Sequence, residues 1–211
     1  MTTHRDIAAR LVSRHGTTFA QEARITLRDK PSPLYRLLVL STLLSARIRA
    51  DLAIAAAREL SRAGYRTPQA MHEATWQQRV DALGRGGYRR YDERTATQLG
   101  EGADLLLERY HGDLRRLREP RDPGLTLTRL QDFPGIGPTG ATIFAREVQA
   151  LWGELAPTLD AKVLAGAEQL GLPTSADTLA ALVSPADLPR LAAGCVRATR
   201  QDVVEDVLRQ D

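Results

Sequence analysis

The apolar residues of this chain recur at helical rather than alternating spacing, and valine and isoleucine, which favour strands, are sparse. From Leu34 to Ala46 the chain is apolar nearly all round, which is typical of a helix buried in the middle of a domain. Further helices are predicted near 50–63, 68–74, 75–83, 92–110, 126–132, 139–151, 160–170, 175–183 and 187–209. Clusters of glycine and proline separate most of these segments. The pattern therefore predicts an all-α fold.

Size and composition exclude several other classes of protein. A chain of 211 residues with 43% apolar and 26% charged residues can bury one or two small hydrophobic cores, which excludes a disordered or fibrous protein. No apolar run reaches the roughly 18 residues that a membrane span needs, and the N-terminal residues lack the apolar core of a signal peptide. We therefore expect a cytoplasmic monomer with no membrane partner.

The metal-binding residue types are few. Cys195 is the only cysteine, so the chain cannot form an internal disulfide, a four-cysteine zinc site or a cysteine-ligated iron–sulfur cluster. The four histidines are scattered without the spacing of metal ligands. We expect no metal site and no tightly held transition metal.

Nearly all basic residues of this chain are arginines. Of the 29 basic residues only Lys30 and Lys162 are lysines, and the other 27 are arginines. The bias has two explanations: codon usage in a GC-rich genome, or a surface suited to phosphate, which guanidinium binds with a bidentate fork. Chemistry that needs an amine is limited to these two lysines and the N-terminus.

The segment from Leu130 to Ala145 contains a G-x-G-x-x-G pattern at Gly135, Gly137 and Gly140, and Asp160 lies 20 positions beyond the third glycine. The spacing matches a dinucleotide-binding fingerprint, which would make the chain a nucleotide-dependent oxidoreductase. That fingerprint requires a strand directly before it, whereas the apolar residues before Gly135 have helical spacing. The pattern therefore favours a helical context over a dinucleotide site.

In a helical context the same residues form a hairpin between two helices. Gly135 and Gly137 allow positive φ angles and a close approach of the backbone to a ligand, and Pro138 suits the first turn of the second helix. The free N–H groups at that helix start are an anion site, for which a DNA phosphate is the natural occupant. A monovalent cation bridging the hairpin carbonyls fits the same geometry. The alternative is an interhelical turn that needs glycine for its geometry alone.

The segment Phe133-Pro-Gly-Ile-Gly, followed by Pro157-Thr-Leu-Asp160, resembles the hairpin and catalytic aspartate of the endonuclease III class of helix-hairpin-helix DNA glycosylases. Leu43-Leu-Ser-Ala-Arg47 resembles the Leu-Leu-Ser-Ala-Gln of that class, and the resemblance extends over roughly 30–172. It implies two helical lobes with a groove for double-stranded DNA between them. The implied domains are a helical barrel at 30–145, which ends in the hairpin, and a second helical domain formed by 1–29 with 146–211.

Three departures from the class limit what the resemblance implies. Bifunctional members carry a lysine in the second hairpin helix where this chain has Thr139, which cannot form a Schiff base. The iron–sulfur cluster that many members hold is incompatible with Cys195 as the single cysteine. Arg47 stands where the class has glutamine. The resemblance therefore implies a monofunctional enzyme without a cofactor.

A glycosylase must rotate its target nucleotide out of the duplex and fill the gap. Arg47 has the length and the planar head to enter that gap, although it is also explained as a solvated arginine at a helix end. Arg85 or Tyr88, in the glycine-rich loop, is predicted to wedge between the strands. Tyr35, Tyr88 and Tyr91 are candidates for stacking on a flipped base.

Asp160 is the predicted catalytic residue. In this class the carboxylate stabilises the cationic sugar of the transition state and deprotonates the attacking water. The alternative is an N-cap aspartate, because apolar residues at helical spacing follow it. Lys162, two positions further on a helix, points to a different face and is expected to contact a phosphate or solvent.

These residues predict a monofunctional DNA glycosylase of base-excision repair, and the competing prediction is a non-catalytic DNA-binding protein with the same fold. The predicted DNA-contacting residues are Gly135, Ile136, Gly137, Thr139, Gly140, Arg47, Arg85, Tyr88 and Lys162.

Overall fold

A computed structural model describes residues 3–209, and within that range the chain forms helices and no strand. The all-α prediction is confirmed. The dinucleotide-binding alternative is wrong, because a helix rather than a strand precedes Gly135. Among the described helices none is both long and apolar enough to cross a membrane.

The α-helices of residues 3–209 are α1 (His4–His15), α2 (Phe19–Glu22), α3 (Pro31–Ser45), α4 (Ala50–Arg62), α5 (Pro68–Glu73), α6 (Trp76–Arg85), α7 (Asp92–Tyr110), α8 (Pro123–Leu130), α9 (Pro138–Val148), α10 (Ala161–Gln169), α11 (Ala176–Ala180), α12 (Leu188–Arg197) and α13 (Gln201–Leu208). Short 3₁₀ helices occupy Leu114–Leu117, Gly153–Leu155 and Pro185–Asp187.

The chain packs into two compact units, and the division between them falls inside α9. The hairpin unit comprises Ala20–Phe144, and the aspartate unit comprises the chain up to Phe19 together with the chain from Ala145 onward. The domain bounds expected from the sequence, 30–145 and 1–29 with 146–211, stay a prediction.

Helix α3 forms the centre of the hairpin unit. Most of its residues are buried on all sides of the helix, from Leu34 to Leu43. It begins with proline in its first turn, where the missing N–H costs no intrahelical hydrogen bond. The prediction of a buried helix in this segment is therefore confirmed.

The aspartate unit has its own core, built from α1, α10, α12 and α13. Leu11, Val163, Ala167, Leu191 and Val207 are among the residues buried in it. Helices α10 and α12 approach so closely that a Cβ atom on Gly166 would lie 1.8 Å from the carbonyl oxygen of Cys195. This contact fixes the direction of α10, which begins directly after Asp160.

Several helix bounds differ from the predicted ones. Helix α8 begins at Pro123 instead of 126, because Asp122 caps it by accepting a hydrogen bond from the N–H of Leu125. The helix predicted over 187–209 is two helices, α12 and α13, with a break at 198–200. Helix α1 is not among the helices predicted from apolar spacing, although Thr3 and Asp6 form a capping box at its start.

Candidate functional site

The hairpin between α8 and α9 is built from local hydrogen bonds and one buried aromatic ring. Phe133 is 2% exposed and stacks on Tyr110 with ring centroids 6.2 Å apart. Its carbonyl oxygen accepts a hydrogen bond from the N–H of Ile136 at 2.9 Å. Helix α9 then starts with Pro138, and its first turn leaves the N–H groups of Thr139 and Gly140 without an intrahelical acceptor.

Only the first glycine of the hairpin takes the left-handed conformation. Gly135 has φ 86°, whereas the φ angle of Gly137 is not positive, so the expectation of a positive φ at Gly137 is wrong. A Cβ on Gly135 would lie 2.9 Å from both Thr42 and Gln98, while a Cβ on Gly137 would meet nothing within 4 Å. Packing against α3 and α7 therefore selects Gly135 for the tight turn and leaves Gly137 open.

Ile136 and Gly140 contribute packing to the hairpin. Ile136 is 3% exposed and its N–H is already used within the hairpin. A Cβ on Gly140 would lie 2.6 Å from the hydroxyl oxygen of Ser45, so glycine lets α9 approach α3. The predicted DNA contacts at Ile136 and Gly140 are thereby restricted to backbone atoms, whereas Thr139 is exposed.

We expect Gly135→Ala to destabilise the hairpin unit by about 1–3 kcal/mol, because alanine would combine a positive φ with two close contacts. Gly137→Ala should cost at most about 1 kcal/mol, the usual penalty for alanine directly before a helix. Thermal unfolding followed by circular dichroism measures both variants. Equal melting temperatures for the two would contradict the assignment of the turn to Gly135.

A cavity of about 310 Å³ opens beside the hairpin within the hairpin unit. Its lining includes Thr42, Ser45, Arg47, Arg94 and Gly135 and contains no acidic residue. Within residues 3–209 neither guanidinium group has an ion-pair partner. The structure thus brings the predicted Arg47 next to the hairpin glycine and adds Arg94, which sequence reasoning missed because a polar helix face carries no information about a cavity.

Of the two wedge residues expected from the sequence, Arg85 is exposed and Tyr88 is not. Tyr88 is fully buried, and its hydroxyl donates a hydrogen bond to the carbonyl oxygen of Leu43 at 3.4 Å. Its predicted role as a wedge is wrong, because a ring packed in the core cannot reach a duplex. Arg85 is exposed at the end of α6, 3.9 Å from a carboxylate oxygen of Glu59.

Tyr35 is also unsuited to stacking on a flipped base, since it is 1% exposed. Tyr91 is half-buried, lines the cavity and carries the guanidinium of Arg90 5.3 Å from its ring centroid. Of the three tyrosines considered from the sequence, Tyr35 and Tyr88 are buried and Tyr91 is partly exposed.

Asp160 is the N-cap of α10 in the aspartate unit. Its carboxylate oxygen Oδ1 accepts a hydrogen bond from the N–H of Val163 at 3.3 Å and lies 3.3 Å from a guanidinium nitrogen of Arg146. The side chain is 32% exposed. The capping alternative is therefore confirmed, and it leaves the carboxylate reachable from solvent. Lys162 is exposed in the first turn of α10.

The residues present do not fit an iron–sulfur cluster. Such a cluster needs several cysteine thiolates, and this chain has one cysteine. Burial raises the pKa of the Cys195 thiol to about 12, which disfavours the thiolate that a metal requires. Among residues 3–209 no group of three or more histidine, cysteine or acidic side chains is placed to hold a metal ion.

Comparison with known proteins gives a likeness of structure. Neither the protein-family models nor the curated proteins contain a significant match to this chain. A trapped endonuclease III–DNA covalent intermediate, an estranged-adenine complex, superposes with a TM-score of 0.51 at 19% identity, covering 93% of this chain and 85% of that chain. A non-covalent endonuclease III–DNA complex superposes with a TM-score of 0.52 at 19% identity and the same coverage. The chain therefore has an endonuclease III-like fold.

Proposed function

We propose that this protein is a monofunctional DNA glycosylase, which flips a damaged or mismatched base out of double-stranded DNA and hydrolyses its N-glycosidic bond. The observation that carries the proposal is Asp160, a partly exposed carboxylate at the start of α10 with one oxygen atom uncommitted. The similarity in fold to endonuclease III–DNA complexes supports DNA as the partner.

The hairpin is the proposed phosphate site. The N–H groups of Thr139 and Gly140 lie in the first turn of α9, where free N–H groups and the helix dipole favour an anion. Gly137 leaves room for a close approach, because nothing lies within 4 Å of its missing side chain. A monovalent cation at the hairpin is part of the proposal; backbone carbonyl oxygens of the hairpin would hold it, and it would add positive charge at the phosphate site.

The cavity beside the hairpin is the proposed contact to the disrupted base pair. Arg47 and Arg94 line it without a carboxylate partner among the described residues, so their donors are available to acceptor atoms on nucleotides. Arg47 is exposed two residues after the end of α3 and is long enough to enter the gap left by the flipped base. Tyr91, at the same cavity, offers a ring for stacking.

Asp160 is the proposed catalytic residue. Water adds to C1′ of the sugar as the C1′–N bond breaks, and the electron pair of that bond leaves with the base. The carboxylate stabilises the positive charge that develops on the sugar and accepts the proton that the water loses. Thr139 carries no amine, so no Schiff base forms at the hairpin helix and the product is an abasic site.

A non-catalytic DNA-binding protein is the second candidate. Its support is that Asp160 already has two structural roles, capping α10 and pairing with Arg146. It shares the hairpin contacts with the glycosylase and differs in releasing no base.

A panel of duplexes tests the proposal. The purified protein is incubated with duplexes that carry uracil, thymine glycol, an alkylated purine, 8-oxoguanine or a G·T mismatch. Alkali is then added to cleave the DNA strand at any abasic site. We expect cleavage of at least one duplex after alkali treatment. Binding without release from any of them would favour the non-catalytic candidate.

Duplex binding should depend on the hairpin and on salt. We expect Gly137→Asp to weaken binding of an undamaged duplex at least about tenfold, because the new carboxylate faces the proposed phosphate site. For the wild type, four to six phosphate contacts predict a slope of log K against log salt of about −4 to −5. Fluorescence anisotropy measures both, with Gly137→Ala as the uncharged control. Unchanged affinity in a folded Gly137→Asp variant would refute the role of the hairpin.

Borohydride should trap no covalent adduct between protein and DNA. Trapping requires an amine that attacks C1′, and Thr139 supplies none. The side chains of Lys30, before α3, and Lys162, on α10, are the remaining lysine amines. Denaturing electrophoresis after borohydride treatment makes the measurement. Efficient trapping that Lys162→Ala abolishes would identify Lys162 as a nucleophile and the enzyme as a lyase.

A further inference from the structure

Arg146 is a buried arginine on α9 with a single side-chain partner. It is 8% exposed, and within residues 3–209 its guanidinium has no hydrogen-bond or ion-pair contact other than Asp160. A buried charge is costly unless it is paired, and removing one member of a buried pair leaves the other uncompensated. The protein therefore holds Arg146 and Asp160 together.

The contacts of Asp160 are distributed unequally over its two oxygen atoms. Oδ1 receives both the guanidinium of Arg146 and the N–H of Val163, each at 3.3 Å. Oδ2 has no hydrogen-bond partner among the described residues. The two contacts fix the carboxylate through one oxygen atom and leave the other free to act.

Gln149, directly after α9, also holds the backbone that leads to Asp160. Gln149 is 1% exposed, and its amide nitrogen donates to the carbonyl oxygens of Arg146 at 3.0 Å and Thr158 at 3.4 Å. Its amide oxygen accepts a hydrogen bond from the N–H of Thr158 at 2.9 Å. Gln149 thus anchors the segment two residues before Asp160, while Arg146 holds the carboxylate itself.

We propose that Arg146 is a positioning residue for Asp160, which it holds by Oδ1 so that Oδ2 faces the sugar and the attacking water; this inference rests on the proposed function. A guanidinium suits the task because it remains charged and offers no amine for a Schiff base. It keeps the carboxylate in place without opening a covalent route.

Single-turnover base release from the duplex that the panel identifies tests the proposal. We expect Arg146→Gln to slow release about 10–100-fold, the scale of a small misplacement of a reacting group. Its affinity for an undamaged duplex of the same sequence should stay within about threefold of the wild type, which is a change in binding free energy of less than about 1 kcal/mol. Because the contact is a single one, Arg146→Lys should recover most of the lost rate.

Arg190→Gln is the matched control, since it breaks another arginine–aspartate pair of the same unit, with Asp187 at 2.9 Å. It should release base at the wild-type rate. An Arg146→Gln variant as fast as the wild type or faster, or an Arg146→Lys variant as slow as Arg146→Gln, would overturn the proposal.

A second measurement separates this proposal from the proposed function, because it needs no activity. Thermal unfolding of Arg146→Gln, Asp160→Asn and the double variant forms a double-mutant cycle. The melting temperature of the double variant should fall by less than the sum of the two single falls, and the difference should be at least about 3 °C. The reason is that each single change leaves the other member of the pair without its partner. Additive losses would overturn the pairing of Arg146 with Asp160, whether or not any duplex is cleaved.

Discussion

Asp160→Asn should slow base release by at least about a hundredfold and leave the chain folded. Removing a carboxylate that takes up the water proton and offsets the charge on the sugar should slow the reaction about 10²–10⁴-fold. Asparagine is as good an N-cap as aspartate, and its amide oxygen can still accept from Arg146. Because the charge of Arg146 loses its partner, we expect a stability loss of about 1–3 kcal/mol, which is far too small to explain the loss of rate at room temperature.

The measurement is single-turnover base release well below the melting temperature, with circular dichroism to establish that the variant is folded. Asp122→Asn is the matched control, because Asp122 caps α8 by the same contact, accepting from the N–H of Leu125 at 3.0 Å. We expect the control to react at the wild-type rate. If folded Asp160→Asn released base as fast as the wild type, the assignment of Asp160 would be wrong.

Gly166→Ala should produce the largest loss of stability of any single methyl group added to the aspartate unit. Its Cβ would lie 1.8 Å from the carbonyl oxygen of Cys195, a backbone atom of α12 that no side-chain rotation can move away. Helices α10 and α12 would have to separate. Overpacking of this kind costs about 3 kcal/mol or more, which corresponds to a drop in melting temperature of about 6–12 °C for a chain of this size.

Thermal unfolding measures this loss, and Gly153→Ala serves as the control in the same unit. A Cβ on Gly153 would meet nothing within 4 Å. The melting temperature of the Gly153→Ala variant should therefore stay within about 1 °C of that of the wild type. Since α10 begins after Asp160, displacement of α10 should also slow base release. A Gly166→Ala variant that melts with the wild type would show that α10 and α12 are not in close contact.

The sequence by itself determined the helical fold class, the buried position of α3 and the place of the hairpin. Helix α7 has the predicted bounds, 92–110, because its apolar spacing is regular and Asp92 and Glu93 occupy its first turn. The hairpin was predictable because glycine and proline restrict the backbone through their own covalent structure. These features depend on residue types and spacings within short segments, which can be read directly from the sequence.

Tertiary packing decided which residues of those segments are available for chemistry. The local sequence allows a positive φ at Gly135 or Gly137, and only the approach of Thr42 and Gln98 from other helices selects Gly135. Tyr88 and Tyr91 have the same side chain and both border the cavity, yet Tyr88 is fully buried whereas Tyr91 is half-buried. The break at 198–200 contains neither glycine nor proline, so it could not be predicted from residue type.

The pairing of Arg146 with Asp160 shows most clearly what the sequence could not supply. The two residues are 14 positions apart, and their contact depends on where α9 ends and how the following turns return the chain to it. Within the otherwise apolar second half of α9 the charged residues are Arg146 and Glu147, and Gln149 follows directly after the helix. Their residue types do not identify their partners. The type of each side chain is written in the sequence, whereas the distance between two charges, and with it the orientation of the carboxylate, is set by the packing of the whole unit.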